Sequence, residues 1–70
     1  MSYNGEYTVN AVNKTLRVLQ KCVTANKPEH SDAVAWCREQ INLHKHMNEE
    51  KWLIAVRNSK QWELVRRVYG

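Results

Sequence analysis

Glycine and proline are scarce in this chain, which has two glycines and one proline among its 70 residues. Tight hairpin turns depend on these residues, so the scarcity leaves little material for a sheet built from hairpins. The chain also lacks any apolar run of about 18 or more residues, the length that a membrane-spanning helix needs. Because 43% of the residues are hydrophobic, the composition is that of one small globular domain.

Cysteine is equally sparse, and the two cysteines, Cys22 and Cys37, are too few for a disulfide scaffold. No Cys-x₂-Cys or His-x₃-His pair is present, so we expect no metal site and two thiols that pack as small apolar residues. A disulfide between Cys22 and Cys37 is the alternative. The first residues lack the basic and apolar regions of a secretory signal, and with reduced thiols this predicts a cytoplasmic protein.

Features that support catalysis are also missing. The two glycines cannot build a phosphate-binding loop, and the serines fall in the N-terminal segment or at predicted helix starts. No isolated pair of carboxylates lies on an apolar face, and a domain this small has little room for a closed pocket. The sequence therefore predicts a protein that is not an enzyme and that needs no cofactor.

Apolar residues at helical spacing begin at residue 9. Their 3-4 spacing predicts a first helix over residues 9–25, and Pro28 prevents its continuation. Asn26 tolerates the left-handed backbone that commonly ends a helix. Residues 1–8 show no periodicity and are predicted to form a flexible N-terminal tail, while residues 9–70 form a single helical domain.

Start signals divide the rest of the chain into shorter helices. Ser31 is a predicted N-cap, and two apolar rows predict a second helix over residues 31–47. Asn48 before two glutamates predicts a third helix over 49–57, and 3-4 spacing predicts a fourth over 59–69, unless the two form one helix with a soft centre. The predicted fold class is all-α, a compact bundle of three or four short helices.

A resemblance suggests an alternative fold. The second predicted helix, its short turn and the third helix resemble in outline the helix-turn-helix of winged-helix regulators, and residues 62–67 (WELVRR) echo the segment that leads into their wing. The resemblance implies a small winged helix-turn-helix domain with a C-terminal hairpin. Its recognition helix would begin with Glu49 and Glu50, which DNA phosphates repel. We therefore expect any DNA contact to come from the first helix and the C-terminal segment.

Positive charge is concentrated at the two ends of the chain. The net charge is +4, residues 9–27 carry only basic charges, and residues 28–50 are mainly acidic. The cations of the first helix recur at helical spacing beside Asn10, Asn13 and Gln20, an arrangement that suits phosphate contact, although an ordinary solvated face looks similar. The leading prediction is a small regulatory protein that binds nucleic acid through seven cations: Lys14, Arg17, Lys21, Arg57, Lys60, Arg66 and Arg67.

The competing prediction is a protein-binding adaptor or inhibitor that docks a helical face on a larger partner protein. Residues 52–56 are apolar throughout. On a helix, five consecutive apolar residues spread over more surface than one side can bury in so thin a domain. Some of that surface is then left for a partner protein or for a second copy of the chain in a homodimer. The candidate interface residues are Trp52, Leu53, Ile54, Trp62 and Tyr69.

Overall fold

Four α-helices follow one another through residues 9–70, the part of the chain that the computed structural model describes. They are α1 (Val9–Ala25), α2 (Ser31–His44), α3 (Glu49–Arg57) and α4 (Lys60–Tyr69), with a short 3₁₀ turn (Pro28–His30) before α2. This confirms the predicted all-α bundle of short helices. The predicted flexible tail, residues 1–8, lies outside the described residues. None of the helices within residues 9–70 is long and apolar enough to cross a membrane.

The alternative with a C-terminal hairpin is wrong, because residues 60–69 are helical and no strand occurs between residues 9 and 70. Ser59 starts α4 by accepting a hydrogen bond from the backbone N–H of Gln61 at 3.2 Å. The 3-4 spacing then brings Val65 into the core, where it is fully buried. A strand would instead turn successive side chains to opposite faces.

The connections between the helices follow from their capping residues. Asn26 ends α1 with a φ of 47°, in the left-handed region, as predicted. Asn48 starts α3 as predicted, because its side-chain oxygen accepts hydrogen bonds from the backbone N–H groups of Glu50 and Lys51 at 3.0 and 3.2 Å. The predicted end of α2 at 47 is wrong, because the helix ends at His44 and residues 45–48 form the connection to α3.

The start of α2 differs from the prediction that Ser31 is the N-cap. Pro28 begins a 3₁₀ turn that runs directly into α2, so Ser31 is already the first helical residue. His30 occupies the cap position without a side-chain capping bond. It is held instead by Tyr69 at the end of α4, whose hydroxyl lies 2.9 Å from His30 Nδ1.

All four helices contribute to the core. Its hydrophobic members are buried residues from each helix in turn: Ala11, Val12, Leu19, Cys22, Ala33, Val34, Cys37, Trp52, Leu53, Val56 and Val65. Trp52 has no exposed surface, and its indole N–H donates a 2.9 Å hydrogen bond to the Gln40 carbonyl, which ties α3 to the end of α2. Thr15 is buried as well, and its hydroxyl donates to the Ala11 carbonyl. Burial on this side of α1 leaves the opposite side in solvent.

Candidate nucleic-acid interface

The solvent-facing side of α1 carries positive charge without negative charge. Lys14, Arg17 and Lys21 are all exposed, and no acidic residue occurs anywhere in this helix of 17 residues. With 3.6 residues per turn, the three positions fall within about 60° of one another around the helix axis. The predicted sharing of a face by these cations therefore follows directly from the helical conformation.

The cations of α1 also border common surface depressions. Lys14 and Arg17 border one together with Asn10 and Asn13. Arg17 also borders a second, whose described lining residues all belong to α1: Asn13, Leu16, Arg17, Gln20, Lys21, Thr24 and Ala25. Arg17 thus links Lys14 to Lys21 along one surface. We call this surface, formed by the exposed residues Asn10, Asn13, Lys14, Arg17, Gln20, Lys21 and Thr24, the α1 face.

Two members of this region were not foreseen from the sequence. Thr24 lies seven residues after Arg17, a spacing that puts both on one side of a helix, but it carries no charge and was therefore not among the predicted cations. Leu16 is an apolar residue that packs against the core and also borders the depression. Because Leu16 is half-buried, its exposed part adds apolar surface beside the polar residues of α1.

The C-terminal cations are exposed but divided between two places. Arg66 and Arg67 occupy the last turn of α4, next to Tyr69, which interacts with His30 and with the Cys22 thiol. These contacts bring the last turn of α4 to the end of α1 that carries Lys21. Lys60 begins α4, about 9 Å or more away along its axis.

Arg57 is the last residue of α3, three residues before Lys60 at the start of α4. The last turn of α4, with Arg66 and Arg67, thus lies towards the end of α1 that carries Lys21. Lys60 lies at the opposite end of α4.

None of the seven predicted cations is neutralised by an acid within residues 9–70. The ion pair found among these residues joins His44 Nε2 to Glu49 Oε2 at 3.5 Å, and it is charged only when the imidazole is protonated. Glu63 precedes Arg66 and Arg67 by three and four residues on α4, but it makes no ion pair with either of them. The positive charges therefore remain available to an external anion.

The protein-interface candidates need a correction. Trp52 and Leu53 have no exposed surface, because α3 turns them into the core together with Val56. Trp62 and Tyr69 are half-buried and pack against the same core. Only Ile54 remains substantially exposed, at 39%. A partner therefore cannot reach the large side chains that motivated the interface at residues 52–56 unless the fold opens.

The two cysteines are free and lie fully buried in the core. Burial raises the pKa of the Cys37 thiol to about 12, and the neighbouring Cys22 thiol adds to the effect. Within residues 9–70, no group of three or more His, Cys, Asp or Glu side chains is placed to hold a metal ion. Both thiols are thus core side chains, and burial favours the neutral form of Cys37.

The raised pKa of Cys37 predicts a loss of stability in alkali. The folded-state pKa of about 12 exceeds the ordinary 9.0, so the thiol's contribution is complete below pH 9 and disappears as the pH rises towards 12. Burial also raises the pKa of Tyr69, with the same sign. Urea unfolding at pH values of about 8 and 10.5 should show a free energy of unfolding to which Cys37 contributes a fall of at most about 1.4 kcal/mol per pH unit. Cys37→Ala should make this fall shallower, and an identical fall in both proteins would contradict the assignment.

Within residues 9–70, the α1 face brings three of the sequence-predicted cations together with exposed amides. It lies on a single rigid helix, so its spacing is fixed by helical geometry rather than by a loop. Comparison with known proteins finds no family, no characterised protein and no solved structure that matches this chain.

Proposed function

We propose that this protein binds nucleic acid without catalysing a reaction, and that the α1 face contacts the phosphate backbone. The observation that carries the proposal is the set of three exposed, unpaired cations on a helix that has no acidic residue. Phosphate contacts by Lys and Arg supply most of the affinity in sequence-independent nucleic-acid binding. Polar amides beside these cations add hydrogen-bond donors for phosphate oxygens.

The spacing of the cations suits a duplex. Lys14 and Lys21 are seven residues apart, which is about 10 Å along the helix axis. Each strand of B-form DNA carries one phosphate about every 3.4 Å along the duplex axis. The distance of about 10 Å between Lys14 and Lys21 therefore covers about three phosphates. Arg66 and Arg67 lie on α4, outside the α1 face, and Arg57 and Lys60 lie at the end of α3 and the start of α4. These four cations contribute to the overall positive electrostatic field of the protein.

The role that fits this chemistry is that of a small regulatory protein that acts by occupying a site on nucleic acid. Its buried, reduced thiols suit the reducing conditions of the cytoplasm. The protein-docking alternative has lost two of its five candidate anchors, since Trp52 and Leu53 are inside the core. Nucleic-acid binding is therefore the function that the arrangement of exposed groups supports best.

Salt dependence tests the proposal. Each neutralised phosphate releases counterions, so three contacts predict a slope of about −2.7 in a plot of log K against log salt. Affinity for a fluorescently labelled DNA duplex, measured by anisotropy, should therefore fall about 40-fold between roughly 50 and 200 mM salt. An affinity that stays constant over this range, or the absence of binding at the lowest salt, would overturn the proposal.

A further inference from the structure

Uncharged polar side chains form a line along the outermost part of α1. Asn13, Gln20 and Thr24 are exposed, and at 3.6 residues per turn they fall within about 40° of one line on the helix. That line is opposite the buried Thr15, so it is the part of the helix farthest from the core. The cations Arg17 and Lys21 lie beside it on one flank.

These amides are not used by the fold. Two other polar side chains are used by the fold, since Asn48 caps α3 and Ser59 caps α4. The side chains of Asn13 and Gln20 make no hydrogen bond with any group in residues 9–70, and both border the depressions on the α1 face. Their donors and acceptors are therefore free to meet a ligand.

We infer that α1 enters the major groove of duplex DNA, where Asn13 and Gln20 read base edges while Arg17 and Lys21 hold the flanking phosphates. This inference rests on the proposed function and goes further, because phosphate contacts alone carry no sequence information. The carboxamides of Asn and Gln pair with both the N6 amino group and N7 of adenine. The methyl group of Thr24 suits contact with the thymine methyl group.

The shape and charge of α1 agree with a position in the groove. The major groove of B-form DNA is about 12 Å wide and admits one α-helix. A helix without acidic residues enters it without repulsion from the phosphates on either side. Duplex RNA is a poorer fit, because its major groove is too deep and narrow for side chains to read.

The spacing of the amides sets the expected recognition site. Asn13 and Gln20 are separated by seven residues, about 10 Å along α1. If the helix follows the groove, this separation corresponds to about three base pairs at 3.4 Å each. A preferred site should therefore contain two adenines about three base pairs apart.

Selection from a duplex library with a randomised centre tests the inference. The wild-type chain is expected to enrich adenine at two positions, and Asn13→Ala/Gln20→Ala is expected to lose this preference while it still binds random duplexes. For the selected site, the affinity of this variant should fall by about tenfold for each lost contact. The control Asn42→Ala/Gln61→Ala removes the same two amide types from α2 and α4, and it should keep the preference.

The outcomes separate the inference from the proposed function. Binding without any base preference, or a preference that persists in Asn13→Ala/Gln20→Ala, would overturn base reading and leave phosphate binding intact. Equal affinity for a duplex RNA of the selected sequence would overturn the major-groove position. Failure to bind any duplex would overturn the proposed function and the inference together.

Discussion

Leu53→Asp is expected to unfold the domain, whereas Ile54→Asp, one position later, is expected to leave it folded. Leu53 has no exposed surface, so an aspartate there would carry a charge into the core without a partner, at a cost of about 3–5 kcal/mol. A chain of this length has only about 4–10 kcal/mol of total stability. The loss of leucine packing adds about 2 kcal/mol or more to the cost.

Ile54 is 39% exposed, and a carboxylate at this position can remain hydrated. Ile54→Asp should therefore change the free energy of unfolding by about 1 kcal/mol or less. Circular dichroism at 222 nm with urea unfolding checks both variants. A folded Leu53→Asp protein with wild-type helicity would show that α3 is not packed as described. Unfolding of Ile54→Asp would place that side chain in the core.

Helices with strong local signals were predictable to the residue. α1 begins and ends where the apolar spacing and Asn26 predict, and Asn48 fixes the start of α3. The predicted end of α2 is three residues too late, because the apolar spacing continues to Met47 whereas the helix ends at His44. Apolar spacing alone does not show that residues 45–48 form the connection to α3.

The depth of burial was harder to predict. Residues 52–56 are all apolar, so their pattern does not indicate which side chains face the core. Only packing against α2 decides that Trp52 is buried and that Ile54 faces the solvent. Of the three tryptophans, Trp52 alone is fully buried, while Trp36 and Trp62 are half-buried. A domain of this size has too small an interior to enclose several large rings completely.

In the candidate site, too, some features are predictable from local sequence and others depend on how the helices pack. Helical spacing alone predicts that Lys14, Arg17 and Lys21 share a face, because only local geometry is involved. The position of the C-terminal cations depends on how α4 packs, which no local pattern specifies. Contacts of Tyr69 with His30 and Cys22 bring Arg66 and Arg67 to the end of α1, and these contacts are visible only in the folded chain.

Replacement of Lys14, Arg17 and Lys21 by glutamine is expected to weaken duplex binding by about 100-fold at low salt. The substitutions remove three phosphate contacts, so the salt slope should also become shallower by about 2.7. Glutamine has nearly the helix propensity of lysine and arginine, and the three positions are exposed, so the fold should remain intact.

The chain offers a matched control in Arg38, Lys45 and Lys51, which are also exposed. Their replacement by glutamine removes one arginine and two lysines, and it lowers the net charge by the same amount. These residues lie on α2, just after it and on α3, and none of them borders the depressions of the α1 face. A general charge effect would weaken binding equally in both variants, whereas a site on α1 would not.

The most direct test of the α1 face is therefore the affinity of the two triple variants for one DNA duplex, measured by anisotropy at the same low salt. We predict a loss of about 100-fold for Lys14→Gln/Arg17→Gln/Lys21→Gln and of about threefold or less for Arg38→Gln/Lys45→Gln/Lys51→Gln. Equal losses in the two variants, or no loss in the first, would contradict the assignment of nucleic-acid binding to α1.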